Sequence, residues 1–262
     1  MPDLNIVAER TQFFDWLRYQ QADKSLTQDN VDAGHVLLSK FKIDELQELL
    51  VRIGLAHPPV LLIPNPNPPK VQRDDIIAAA TRINVPAATI KALSDVESPK
   101  GGFNSDGTPK ILFERHKFWQ ALTDRKWFTK RNEMFEKYPD ICNPKAGGYS
   151  VRPQYEKLLI AATLNWDAAH EAASWGFGQV MGFNWESLGY ESVRDFVTHM
   201  YASEGAQLDA VCRYIKVNEL DDDLRRENWA GFALGYNGSD YQRNDYDNKM
   251  DRGHAKAKRE GW

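Results

Sequence analysis

Six prolines fall between Pro58 and Lys70, at positions 58, 59, 64, 66, 68 and 69. Each removes an amide donor and holds φ at about −65°, so neither a helix interior nor a central strand can run through this stretch. The chain is thereby divided into residues 1–57 and 71–262, joined by an extended, semi-rigid linker over 58–70. Residues 1–57 carry one apolar cluster at Phe13, Phe14, Trp16 and Leu17. A second follows at Val36, Leu37, Leu38 and Phe41, and a third at Leu46, Leu49, Leu50 and Ile53. The three- and four-residue spacing predicts two or three short helices. So small a module supports only a marginal core.

Apolar residues make up 42% of the 262-residue chain and charged residues 27%, with a mean hydropathy of −0.58. These are the proportions of a soluble globular protein. No run approaches the 18 or so apolar residues of a membrane span. The first thirty positions carry Asp3, Glu9, Arg10, Asp15, Arg18, Asp23 and Lys24, so no signal peptide is expected. Cys142 and Cys212 are far apart and belong to no Cys/His cluster, so both are expected as free thiols and no metal site is expected. With 33 basic against 37 acidic residues, the chain lacks the positive excess that nucleic acid requires. A local exception is the tail, where Lys249, Arg252, Lys256, Lys258 and Arg259 cluster. Two readings fit it: a solvated helix end whose cations suit the dipole, or a contact with an anionic envelope surface.

Beyond the linker the pattern is mainly α. Asp74 and Asp75 open a run through Ile76, Ile77, Ala80 and Ile83, and Pro86 can begin a second helix over Ala87 to about Glu97. Ser98-Pro99 and Gly101-Gly102 stop it. Asn104-Ser105-Asp106-Gly107 is turn chemistry, and with Phe103 and Ile111-Leu112-Phe113 beside it predicts a short hairpin or small sheet. Helices resume near His116, with further candidates at Leu158–Ala162, Val193–Cys212 and Trp229–Leu234.

One helix end is chemically distinctive. Ile90 and Leu93 precede Glu97 by seven and four residues, about 700° and 400° of rotation, so the three share a face. A carboxyl on an apolar stripe, at the negative end of a helix dipole, is disfavoured in its charged form. That is the condition a general acid needs near neutral pH. The alternative is a solvated helix-end Glu. Other chemistries lack their signatures. No H-E-x-x-H, G-x-S-x-G or Walker loop occurs, and the 102–114 loop sets Glu114 one place too late for an EF-hand.

Three ordered segments complete the pattern: Val96-Glu97-Ser98, Ser174-Trp175-Gly176-Phe177-Gly178-Gln179-Val180-Met181, and Ala233-Leu234-Gly235-Tyr236-Asn237-Gly238. Together they resemble the signature segments of the lysozyme-like superfamily, which includes goose-type lysozymes and soluble lytic transglycosylases. With Gly102-Phe103, Asp106-Gly107, Pro109 to His116 and Tyr241 to Tyr246-Asp247, residues 71–252 look like the N-acetylmuramidase domain of phage endolysins.

The resemblance implies a lysozyme-like helical domain with a small β-hairpin region, beside a small helical N-terminal module. It implies peptidoglycan as substrate, no cofactor, and Glu97 as the acid that protonates the bond between N-acetylmuramic acid and N-acetylglucosamine. Glu114, closing the predicted strand, becomes the candidate second carboxylate across the cleft; a salt bridge to Arg115 or His116 is its structural alternative. Asp106 reads as an ordinary turn residue. Gln179, Tyr236 and Asn237 are implied substrate contacts, with helix capping as the alternative for the 236–238 turn. Trp175 could offer a sugar-stacking face or lie in the core. Residues 1–57 would be a wall-binding module, although the D-G-x-x-G-x-x-T pattern of the common version is absent. A monomeric enzyme held in the host cytoplasm until a holin opens the inner membrane completes the expectation. A lytic transglycosylase and a non-catalytic wall-binding protein are the rival readings.

Overall fold

A computed structural model describes residues 27, 28, 62, 64–97 and 101–262 of the chain. The helical module expected over residues 1–57 lies outside the described residues, Thr27 and Gln28 excepted. Helix α1 (Arg73–Ile83) opens where the Gln72 amide donates to Asp75 Oδ2 at 2.8 Å. It closes at Asn84, whose left-handed backbone (φ 54°) turns its N–H onto the carbonyls of Ala80 and Thr81. The Pro86 carbonyl then accepts the Thr89 amide at 2.9 Å and starts α2 (Ala87–Glu97), at the position where a missing proline N–H costs nothing.

α2 is the centre of the core. Ile90, Ala92 and Leu93 are fully buried, and α11 (Tyr246–Arg259) runs along the helix. The two helices come close because α11 presents Gly253 to Ala92: a Cβ at Gly253 would sit 3.2 Å from the Ala92 Cβ. On its other side α2 contacts α1, which in turn packs against α8 (Glu204–Val217).

The expected helical run Val193–Cys212 is split. α7 (Val193–Ala202) ends at Ser203, whose extended backbone and side chain, accepting from the Ala206 amide at 3.0 Å, cap α8. Elsewhere the expected helices correspond to α3 (Arg115–Asp124), α5 (Gln154–Leu164) and α10 (Trp229–Asn237). Unforeseen are α4 (Phe128–Lys137), α6 (Trp166–Glu171) and the short α9 (Asp221–Arg225).

The sheet has three antiparallel strands in the order β1 (Ile111–Phe113), β2 (Ala173–Trp175), β3 (Val180–Met181). The expected hairpin is present as a Phe103–Pro109 bridge, closed by the Asn104 amide on the Thr108 carbonyl at 2.8 Å. β1 itself, however, pairs with β2, Ile111 opposite Trp175 and Phe113 opposite Ala173. Behind the sheet His170 is stacked between Trp166, 3.5 Å away, and Trp175, 5.6 Å away, and its Nδ1 donates to the Trp166 carbonyl at 2.7 Å. Burial drives its pKa down to about 3, so this histidine is a neutral core residue.

The end of the proline-rich stretch is tied to the domain before α1 begins. Asn65 donates its amide to the Gly107 carbonyl at 3.2 Å, Pro69 accepts from the Glu204 amide at 2.9 Å, and Leu62 packs against the core. Cys142 and Cys212 are buried free thiols, each pushed up to about 12 by burial. No single helix among the described residues is long and apolar enough to cross a membrane.

The close α2–α11 contact yields a stability test. Gly253→Leu forces a branched side chain into the Ala92 backbone and should cost about 1–3 kcal/mol, read as a lowered urea midpoint with unchanged slope. An unchanged midpoint would show that the helices are free to separate.

Candidate active site

Glu97 ends α2, half-buried on the stripe continued by the fully buried Ile90 and Leu93. Its carboxyl lines an open groove of about 760 Å³. The groove is also lined by Asn104 and Asp106 of the hairpin turn, by Lys110 and Ile111, by Gly176, Phe177 and Gln179 of the turn after β2, and by Tyr155.

Two opposing effects set the acidity of Glu97. Loss of water raises its pKa and dominates; a hydrogen bond donated by the Tyr246 hydroxyl to Oε1 lowers it, and the outcome is a carboxyl pushed up to about 7. Tyr246 is buried at the start of α11, after Asp245 in the left-handed region (φ 53°), and the Asn237 side chain also hydrogen-bonds it. Tyr236 lies 6.3 Å from Tyr246, ring to ring, and stacks on Phe232. Burial and the neighbouring Glu97 raise both phenol pKa values, so both remain neutral donors.

The remaining residues singled out in the sequence divide clearly. Gln179 lines the groove, exposed and at positive φ (48°). Its amide is oriented by Ser174 Oγ, which donates to Oε1 at 2.7 Å, while Nε2 donates to the Gly176 carbonyl at 2.7 Å. Tyr236 Oη is 3.5 Å from the Gly178 carbonyl, bringing the third motif against the second, and Asn237 is exposed beside it.

Trp175 takes the core alternative. It is 1% exposed, with Nε1 donating to the His170 carbonyl at 3.1 Å, so it has no face to offer a sugar.

Glu114, expected across the cleft, is not among the residues lining it. It precedes α3 as the N-cap residue, accepts from the Tyr149 hydroxyl at 2.9 Å and sits 3.2 Å from His116 Nδ1. The carboxylate that does line the groove is Asp106. Hydrogen bonds from the Thr108 hydroxyl (2.6 Å) and amide (2.9 Å) hold it below the usual range, hence ionised. Asp106 is a turn residue, as expected, and that turn also lines the groove. No cluster of three or more His, Cys, Asp or Glu side chains is placed to hold a metal among the described residues.

The raised Glu97 pKa makes stability depend on pH. Between about 4.5 and 7 the folded state keeps a proton that the unfolded state releases, so stability falls as pH rises through that window. Glu97→Gln lacks this loss and should be more stable than the parent by roughly 1–3 kcal/mol at pH 8, with little difference at pH 4. Urea melts at the two pH values check it. Tyr246→Phe removes the bond that favours the anion, so the Glu97 carboxyl, followed by carbon-13 NMR, should titrate above the parent value. A downward shift would reverse the role given to Tyr246.

The chain is similar to known proteins. An N-acetylmuramidase family model matches residues 86–258, a span containing Glu97, the sheet and the 233–238 segment. The crystal structure of the Burkholderia AP3 phage endolysin matches with a TM-score of 0.68 and 37% sequence identity, covering 74% of this chain and 73% of that one. No curated protein matches. The helical architecture with its small antiparallel sheet is a lysozyme-like fold, and the chain belongs to the N-acetylmuramidase family, glycoside hydrolases that cleave peptidoglycan.

Proposed function

We propose that the chain is a phage endolysin that hydrolyses the β-1,4 bond between N-acetylmuramic acid and N-acetylglucosamine in bacterial peptidoglycan, of the lysozyme type. The observation that carries this reading is Glu97: a carboxyl pushed up to about 7 that lines an open groove of about 760 Å³. With Oε1 held by Tyr246, Oε2 presents the proton to the glycosidic oxygen. As the bond breaks, positive charge develops on the sugar ring. Asp106, ionised on the hairpin wall, is the groove carboxylate that can stabilise it or orient the attacking water. Glu114 acts at one remove in this scheme, by fixing Tyr149 and His116. Gln179, polar and exposed in the groove, suits the amide of an N-acetyl group, whereas Asn237 lies outside the lining and holds Tyr246.

One observation favours a second reading. With Glu114 outside the groove, Glu97 is, among the described residues, the one half-buried carboxyl lining it, as in a lytic transglycosylase, where the muramic acid 6-hydroxyl replaces water. The products separate the two: anhydro ends are one water lighter than reducing ends.

In the biological scheme the chain acts as a monomer on the host wall, reached from the cytoplasm through a holin, with residues 1–57 as a wall-binding module. Ion pairs of Lys258 with Glu227 (2.9 Å), Arg252 with Asp245 (2.8 Å) and Lys256 with Glu260 (3.7 Å) support a solvated tail over an envelope contact.

Glu97→Gln should reduce cleavage of purified wall by about 10²–10⁴-fold while the protein stays folded. Asp106→Asn should lower the rate further than Glu114→Gln does. Mass spectrometry of the parent digest should give reducing ends; a dominance of anhydro products would replace hydrolysis with transglycosylation.

A further inference from the structure

The groove has two sides from distant parts of the chain, and one helix end touches both. Glu204 and Gln207 lie one turn apart on α8 and share a face. Both are buried, at 5% and 1% exposure. Glu204 Oε1 accepts the Gly102 amide at 2.8 Å, five residues beyond Glu97. Gln207 Oε1 accepts the Phe177 amide at 3.1 Å, two residues before Gln179, while its Nε2 donates to the Met200 carbonyl at 2.9 Å.

The fit around Gln207 leaves no room for slack. A Cβ at Gly102 would lie 1.8 Å from Gln207 Oε1, and one at Gly176 would lie 2.6 Å from its Cδ. Two groove segments are thus pressed against the same buried amide. Glu204 is balanced by Lys70, whose Nζ donates to Oε1 at 2.8 Å from the last residue of the proline-rich stretch. Lys110 Nζ adds a bond to the Gly101 carbonyl at 2.7 Å.

We propose that Glu204 and Gln207 are positioning residues of the muramidase, fixing the spacing between the Gly101–Gly102 segment that follows the acid and the Gly176–Phe177 turn that carries Gln179. The proposal rests on the catalytic reading of the groove. Neither side chain touches the glycan; each works through backbone amides of the walls. Displacing a wall by about 1 Å misaligns the bound sugar with the Glu97 proton, a change that costs about 10²-fold in rate.

The test uses the full chain with Glu204→Leu, Glu204→Gln and Gln207→Met, and compares kcat and KM on soluble glycan strands at a fixed interval below each variant's Tm. Glu204→Leu and Gln207→Met should lose about 10- to 100-fold in kcat with KM within about threefold of the parent. Glu204→Gln keeps an acceptor for the Gly102 amide and should recover most of that loss. Amide hydrogen exchange should accelerate at Gly102 in the Glu204→Leu chain and at Phe177 in the Gln207→Met chain. If Glu204→Leu does not fold, Gln207→Met carries the same expectation with side-chain volume preserved. Parental kcat with a lowered Tm, or unchanged exchange at both amides, overturns the positioning role. A parent chain that leaves the glycan uncut while showing the predicted exchange changes instead overturns the catalytic reading, so the two failures are distinct.

Discussion

The burial of one carboxyl between two helices is the constraint on which the proposed chemistry depends. Glu97 ends α2, where the helix dipole and the loss of water both oppose ionisation. α11 provides the opposing effect through Tyr246. How strongly that phenol acts depends on the distance between the helices, and the Gly253–Ala92 contact fixes it. Smallness in the middle of the contact is therefore functional at its end, two turns away. A larger residue at 253 would tilt α11 and change both the solvation of Glu97 and the hydrogen bond that Tyr246 donates to its Oε1.

The groove walls rely on half-buried and buried polar side chains where their backbone is irregular. Gln154 accepts the Phe113 amide at 2.9 Å and donates to the Tyr149 carbonyl at 2.7 Å, joining β1 to the loop before α5. Tyr155 donates to the Pro109 carbonyl at 2.7 Å and so anchors the hairpin. Residues 139–149 are wound around two cations: Arg115 reaches the carbonyls of Pro139, Lys145 and Ala146, and the fully buried Lys157 reaches those of Gly148 and Tyr149. A non-helical, non-strand segment carries many unpaired carbonyls, and cationic donors satisfy several at once. This explains how so short a sheet can support a groove of this size.

Periodicity made the helices legible in the sequence wherever one face was consistently apolar. α1 and α2 match their expected bounds because proline, asparagine and acidic residues punctuate them as well. The break at Ser203 was hidden, since apolar spacing continues through it and only the cap geometry shows it. The acid was legible from three positions on one helix stripe. Which further carboxylate lines the groove was not: Glu114 and Asp106 both stand near β1, and β1 pairs with a strand about sixty residues away, a contact that local spacing does not reveal. Trp175 was ambiguous for the same reason, because strand alternation turns it onto His170 while the neighbouring turn faces the groove.

The placement of Asp106 also bears on the choice between water and an internal hydroxyl as nucleophile. A carboxylate can activate or hold water only while ionised and hydrated. Asp106 meets both conditions, because it sits in an exposed turn and its charge is stabilised by Thr108 rather than by an ion pair that would occupy it. Glu97 meets the opposite pair, being largely desolvated and keeping its proton up to about pH 7. The two environments push the pKa values apart, as the proposed acid and base roles of the two carboxyl groups require. A transglycosylase would have no use for the second environment, since its nucleophile belongs to the substrate. Asp106, whose turn is anchored from outside by Asn65 on the Gly107 carbonyl and from beneath by Tyr155 on that of Pro109, therefore inclines the groove toward hydrolysis.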